Sequence, residues 1–560
     1  MIKKTFITLA STSLLVASSC CPNSNNSTPK ENNPLAGLTI PFDMPEVQQT
    51  SFKPDTLNII DFGAEPNKHS LCTEAINTAI KTCSSNGGGV VLIPAGLWTT
   101  GPIYMQSNVN LHTASGAFIS FTPDVAQYQL IQSYFEGNSV LRCESPIMGI
   151  NLENVAITGK GIFDGNGIAW RIIKKEKMTN NQWNTIIKQG ALSDDGKRWY
   201  PDTFYRDAQE GLIQMPQTQT AENMANYKRY LRPVMVSFVN CSKLKLDGVT
   251  FQNSPAWNVN PLMCEHVVIS NLTIRNPWYS QNGDGLDLES CRIGTISNCT
   301  FDVGDDAICI KSGKDKEGRD RAKPTELFVI TDCVVYHGHG GFVLGSEMSG
   351  GVNNIYAKNL TFIGTDCGLR FKSTRGRGGV VENIWMENIR MSEIPTEAIR
   401  FNLYYAGKSA TEDPITGDLI VEEAQVSEET PVFRNMHFKD IFVDGAQMAI
   451  KAMGIPEMPV ENISFDHLII RANEGINMNY TSKFNFSNVK LKLEKEGVAA
   501  KISNSQDCEF NSFDVTGENQ LFQIGGTTSK NISLNLKNRQ LTNSDISVLE
   551  SIKEQVKIRN

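Results

Sequence analysis

Four short polar signatures follow one another within ninety residues of this 560-residue chain. They are Asn282-Gly283-Asp284, Gly304-Asp305-Asp306, Gly338-His339-Gly340 and Arg370-Phe371-Lys372. Together they offer three carboxylates, an imidazole and two cations. Crowded carboxylates raise one another's pKa, so such a group retains a proton at mildly acidic pH. One protonated acid can then donate to a leaving oxygen while an ionised neighbour activates water, the pairing that glycosidic hydrolysis requires. Taken singly, each signature is commonplace. Asp305 and Asp306 could close a turn, His339 could sit exposed between its glycines, and Arg370 and Lys372 could alternate into solvent, as could Asp287 and Glu289. Only a fold that stacks the signatures gives them joint meaning.

The chain between them supplies that fold. After residue 85 no pattern suits a long helix; short β-rich runs alternate with Gly, Asn and Asp instead. A turn followed by a short apolar strand recurs at residues 248–251, 271–274, 298–301, 332–335, 359–362, 388–391 and 440–443. From Phe251 to Ile274 is 23 residues, and the following steps are 27, 34, 27 and 29. A period in the twenties without helices predicts an all-β right-handed parallel β-helix, each coil resting on the last. Aligning inward apolar residues gives a register: Leu286 and Leu288 on Ile308 and Ile310, then Phe342 and Leu344, then Leu369 and Phe371. Asp284 then lies over Asp306, Asp305 over His339, and Glu289, Lys311 and Lys372 share a column. Strands about 4.8 Å apart bring these groups together on one outer face.

Before the repeat, Ala75, Ile76, Ala79 and Ile80 recur at helical spacing, predicting an N-terminal helix that caps the open end of the solenoid. Residues 171–230 break the repeat with Trp183, Trp199, Tyr200, Phe204, Tyr205, Tyr227 and Tyr230 among many charges. They predict a loop beside the stack, its rings either facing a sugar ligand or packing the loop itself. Residues 406–431 form a second, acidic interruption.

The order and content of the four signatures resemble the polygalacturonase-like glycoside hydrolases of family 28, whose usual signatures are N-x-D, G-D-D, G-H-G and R-x-K. The likeness spans roughly residues 55–475; Gly283 departs from the Thr or Ser often found there, at a position without a catalytic group. The resemblance implies a pectin-lyase-like solenoid that hydrolyses α-linked galacturonic acid with inversion. It implies Asp305 as general acid, Asp284 and Asp306 as the pair holding the water, and His339 as a tuner of the acid. Arg370 and Lys372 would bind the substrate carboxylate, with Asn282 and Lys311 as further substrate ligands. Residues 345–351 resemble bacterial exo-acting members, so attack from a chain end is expected, with endo-polygalacturonase and rhamnogalacturonan hydrolase as alternatives. Two other classes use such a solenoid: a pectate lyase, which needs calcium and an arginine base, and a glycan-binding β-helix without turnover.

Composition bounds the rest. A net charge of −8 gives no reason to expect nucleic acid, and no phosphate loop, dinucleotide fingerprint or zinc-spaced Cys/His set predicts a cofactor. Lys3 and Lys4, an apolar run over residues 6–16 and small residues before Cys20 read as an export signal of lipoprotein type, with Cys20 lipidated. The signal would occupy residues 1–20, a flexible tether 21–50 and one catalytic domain 51–560. The expectation is a monomer held in a Gram-negative cell envelope, touching membrane only through its lipid. Most of the thirteen cysteines lie in apolar runs and read as buried thiols rather than disulfides.

Overall fold

The computed structural model describes residues 35–405, 411–412, 419–536, 542 and 544–559. The signal segment and Cys20 lie outside them. Two units are separable. In the first, residues 1–38, the described part is a turn closed by the Leu38 N–H donating to the Leu35 carbonyl at 3.2 Å. The second, residues 39–560, holds everything that follows.

Among the described residues its core is a single sheet of 35 strands whose neighbours are parallel and one coil apart in sequence. Most coils carry three short strands. Strands Arg292–Ser297, Thr300–Asp302 and Ile308–Lys311 form one coil, and each pairs with its equivalent in the next: Glu326 beside Arg292, Val334 beside Thr300, Phe342 beside Ile308. Successive parallel strands with right-handed crossovers make this the expected parallel β-helix. The anticipated register holds at every step, with Leu286 on Ile308, Ile308 on Phe342 and Phe342 on Leu369.

The corner residues explain why the period reads so clearly. Asn271, Asn298, Asp332, Asn359, Asn388 and Asp440 all have φ between 55° and 58°, a left-handed conformation that Asn and Asp tolerate best among non-glycine residues. Their side chains then ladder: the Asn388 amide donates to Asn359 Oδ1 at 2.6 Å, and the Asn359 amide to Asp332 Oδ1 at 2.9 Å. Inside, equal positions stack. Phe371 lies 4.7 Å from Phe401 and Phe465 4.8 Å from Phe486, nearly coplanar, at the spacing of neighbouring strands. The eleven cysteines among the described residues are free and buried, as small apolar side chains in this stack.

The cap is the helix Thr73–Ser85, which buries Ala75, Ile76, Ala79, Ile80 and Cys83. At the far end residues 511 and 531–535 join late strands, Glu509–Thr516 and Ile532–Asn535. Residues 39–50, expected to belong to a flexible tether, are packed. They lie along the flank, where Val47 is buried against Val268 and Ile293, and Phe42 packs 5.6 Å from Trp385. Alternating apolar residues in a Pro-containing stretch make a strap across coils here. Residues 171–230 fold into two seven-residue helices and a three-stranded antiparallel sheet, closed over Ile173, Trp183 and Trp199. Most of the aromatic rings pack the insertion itself. Of the second interruption, residues 411–412 and 419–431 are described, and Thr411–Glu412 pairs antiparallel with Leu419–Ile420.

Candidate active site

The four signatures converge at one edge of the solenoid, where turns enter the strands Leu286–Glu289, Ile308–Lys311, Gly340–Leu344 and Cys367–Lys372. The Gly285 N–H donates to the Asp306 carbonyl at 2.9 Å, and the His339 N–H to the Asp305 carbonyl at 3.0 Å. These bonds fix Asp284 over Asp306 and Asp305 over His339. Carboxylate oxygens of Asp284, Asp305 and Asp306 all lie within 4.8 Å of one another.

Each carboxylate has a different environment. Asp306 is buried, with Arg370 at 3.2 Å from Oδ1 and Lys372 at 2.6 Å from Oδ2. Burial opposes its charge, but Lys372, Arg370 and Lys311 outweigh it and hold its pKa at about 2. Asp284 is buried and its Oδ1 accepts no hydrogen bond; burial, then Asp287 and Asp305, push its pKa well above the usual range. Asp305 is the accessible member, its side chain 21% exposed, and its Oδ1 lies 3.3 Å from His339 Nδ1. The hydrogen bond to Asp305 raises the His339 pKa against the effect of partial burial. His339 Nε2 faces Asp366 at 3.7 Å.

Asp306 reaches cations two coils away because the coil between has no side chain in the path. A Cβ on Gly340 would come 3.4 Å from Asp306 Oδ1 and 3.5 Å from the Cβ of Arg370. Gly345 separates Lys311 from Lys372 in their shared column, and a Cβ there would lie 2.0 Å from the Lys372 carbonyl. A Cβ at Gly340 would also meet Val343 Cγ2 at 2.4 Å, so the position after His339 has no room for a side chain.

Two expectations need correction. Lys311 does not stand on an open face: it is 3% exposed, and its ammonium lies 2.9 Å from Glu347, 3.5 Å from Asp287 and 4.3 Å over the Trp257 ring. Asp287 and Glu289 are not surface residues either. They point outward from the coil, as strand alternation requires, yet both are covered. The hairpin strands Leu130–Phe135 and Asn138–Cys143 meet the helix Asp315–Arg321 over this part of the sheet. Ser139 donates to Glu317 from its N–H at 2.8 Å and its hydroxyl at 2.6 Å, Arg321 donates to the Gly137 carbonyl at 3.1 Å, and Arg321 pairs with Glu289 at 2.8 Å. Asp287, beneath that cover, accepts no hydrogen bond at either oxygen, and burial pushes its pKa to about 8 against the pull of Lys311.

Of the remaining sequence candidates, Arg370 keeps partial exposure, whereas Lys372 is buried with its ammonium on Asp306; both lie near the Tyr405 ring, at 5.9 and 5.2 Å. Asn282 stands at the turn with φ 51°, and its side-chain carbonyl accepts from Arg232 at 2.7 Å. Arg232 also binds the carbonyls of Pro255 and Gln281, which fixes the turn that presents Asp284. Sequence reading missed Arg232, Trp257, Glu347, Asp366 and Tyr405. Glu347 alone carried a signal, inside the residue 345–351 run.

A parallel β-helix carrying crowded aspartates at one edge, one clamped ionised by two cations and one accessible beside an imidazole, has the machinery of a glycoside hydrolase. The sequence model of the glycosyl hydrolases family 28 matches residues 217–430. An exopolygalacturonase from Thermotoga maritima superposes with a TM-score of 0.62 at 31% identity, over 76% of this chain and 89% of that one. An exo-poly-alpha-D-galacturonosidase of Dickeya chrysanthemi is 26% identical over 83% of this chain and 71% of its own length. A probable polygalacturonase of Vitis vinifera is 26% identical over 76% of each. The chain belongs to glycoside hydrolase family 28.

Proposed function

We propose that this enzyme hydrolyses α-linked galacturonan from a chain end, with inversion. The observation that carries the reading is the aspartate trio with Asp306 clamped by Arg370 and Lys372. Asp306 is the firmly ionised member and serves as base toward water, with the unpartnered Asp284 Oδ1 as the second group at that water. Asp305, the member open to substrate, is the proton donor, with His339 Nδ1 3.3 Å from its Oδ1. The proton leaves Asp305 for the glycosidic oxygen, and water returns one to the opposite carboxylate, so water adds across the bond. The oxygens are closer than the ~6.5–9.5 Å usual for inverting pairs; Asp305 and Asp306 are neighbours on one coil and Asp284 lies on the adjacent coil. The basic, partly exposed Arg370 suits a uronate carboxylate.

Attack from a chain end is supported by the hairpin–helix cover, which closes the sheet face beside the trio, and by the two exo-acting relatives. The test is a time course of products from de-esterified polygalacturonate, a galacturonate oligomer series and rhamnogalacturonan, with the anomer read by NMR. Monogalacturonate from the first minutes as the β-anomer, lost about 10²–10⁴-fold in Asp305→Asn, is the expected result. An early spread of oligomers refutes end attack, and retained α-anomer refutes inversion. Export as a lipoprotein anchored through Cys20 is supported by the basic and apolar N-terminal segment. It predicts fatty-acid labelling of the wild type and none of Cys20→Ser.

A further inference from the structure

The insertion carries a charge pattern that its own packing does not use. Between residues 171 and 230 there are ten Lys and Arg against seven Asp and Glu, in a chain of net charge −8. Part of this excess is gathered at one recess of about 600 Å³, lined by Lys174, Lys175, Glu176, Asp195, Lys197 and Arg198. Lys174 and Arg198 stand directly opposite one another in an antiparallel strand pair. Like charges in that position repel. Glu210 pairs with Arg198 at 3.2 Å, but Lys174, Lys175 and Lys197 make no ion pair among the described residues. Of the two carboxylates present, Asp195 is engaged by its own turn, accepting from the Ser193 hydroxyl at 2.6 Å and the Lys197 N–H at 3.0 Å. Beneath the recess lies the rigid cluster of Ile173, Trp183 and Trp199.

The recess is joined to the catalytic turn. Lys175–Lys177 is one tight turn, and the Lys177 ammonium lies 4.3 Å over the ring of Trp278, which is 55% exposed. Trp278 belongs to the segment that runs into Asp284. That segment packs directly on Gly304, where a Cβ would lie 2.5 Å from the Ser280 hydroxyl. A basic path with one open aromatic face therefore leads from the insertion to the edge of the trio.

We propose that this recess, with Lys177 and Trp278 at its edge, is an accessory binding site for the carboxylates of a polyuronate chain at a distance from the bond being cleaved. The proposal rests on the galacturonan reading above. Three lysines without an ion pair among the described residues suit a polymer that repeats a negative charge at every sugar, and the exposed indole suits a sugar face. Such a site raises the local concentration of polymer at the trio without touching the reacting sugar.

The test compares wild type with Lys174→Ala/Lys197→Ala, two exposed positions, using long polygalacturonate, digalacturonate and highly methyl-esterified pectin at low and high salt. The expected result is a KM for long polygalacturonate raised roughly 3- to 10-fold at low ionic strength, the range two surface ion contacts supply. The kcat and the digalacturonate kinetics should stay within twofold, and the effect should vanish at high salt. An unchanged polymer KM, or an equal rise on digalacturonate or esterified pectin, overturns the accessory site. If the wild type cleaves none of these, the galacturonan reading has failed instead. Affinity electrophoresis of Asp305→Asn in polygalacturonate then still decides the recess: retardation abolished by the lysine substitutions supports it, and retardation unaffected by them refutes it.

Discussion

Replacing Asp287 by Asn should make the enzyme progressively more stable than wild type as pH rises. Asp287 is fully buried, neither oxygen accepts a hydrogen bond, and burial carries its pKa from 3.8 to about 8. Between those values the native state holds a proton that the unfolded chain has lost. Its contribution to stability is therefore complete below pH 3.8 and is lost as pH rises through 8. About four units at roughly 1.4 kcal/mol each set an upper scale of about 6 kcal/mol. Between pH 5 and 7.5 the group lies on the full slope, so the gap between Asp287→Asn and wild type should widen by about 3 kcal/mol. Groups that do not face Asp287 titrate in both proteins and cancel in the difference.

Urea unfolding of the two proteins at pH 5, 6.5 and 7.5, with unchanged m-values, reads that gap directly. The substitution is close to isosteric and removes no charge in this range, so kcat at pH 5–6 should stay within a few-fold. Parallel stability curves would refute the neutral Asp287. So would a well-folded variant without activity at pH 5, since an ionised Asp287 beside Lys311 would then be needed for catalysis.

Three further outcomes follow from the same geometry. Lys372→Met removes the 2.6 Å partner of a buried carboxylate, costing about 3–5 kcal/mol near neutral pH. The depressed Asp306 pKa contributes stability above pH 3.8 that is lost as pH falls through about 2; with that pKa raised, the acid limb of kcat/KM should move to higher pH, as a pH–rate profile will show. His339→Gln should lower kcat about 10²-fold. The wild-type contribution of His339 is present below pH 6.5 and lost as pH rises through its elevated folded value, so the variant's alkaline limb should change while its acid limb stays. Glu317→Ala unties the hairpin from the helix at a partly exposed position; early products should then include oligomers, and an unchanged monomer-only pattern would refute the cover as the cause of end attack.

What the sequence made legible is what a periodic fold repeats. Asn271, Asn298, Asp332 and Asn359 mark corners because Asn and Asp take φ near 56° most readily among non-glycine residues. Once corners are counted, Leu286, Ile308, Phe342 and Leu369 fall into one column. Asp284, Asp305, Asp306 and His339 are then brought together by register alone, without any long-range contact being known. The same periodicity says that Asp287, Glu289 and Lys311 point away from the coil's interior, which is true.

Pointing outward is not the same as meeting water. The cover over these three residues is built by segments that stand outside the repeat. Ser139 meets Glu317 across 178 residues, and Arg321 bonds Gly137 across 184. No period predicts such a meeting, since the hairpin and the helix are inserted between coils in segments whose lengths are free. Burial then reverses the chemistry of the covered residues. Lys311, readable as a substrate ligand on an open face, becomes the counter-charge of Glu347 and Asp287. Asp287, readable as a surface acid, becomes a neutral one. Asp306 stays ionised when buried because Lys372, Arg370 and Lys311 surround it. The positions of the catalytic groups thus follow from the coil, while their protonation follows from the loops that close over it.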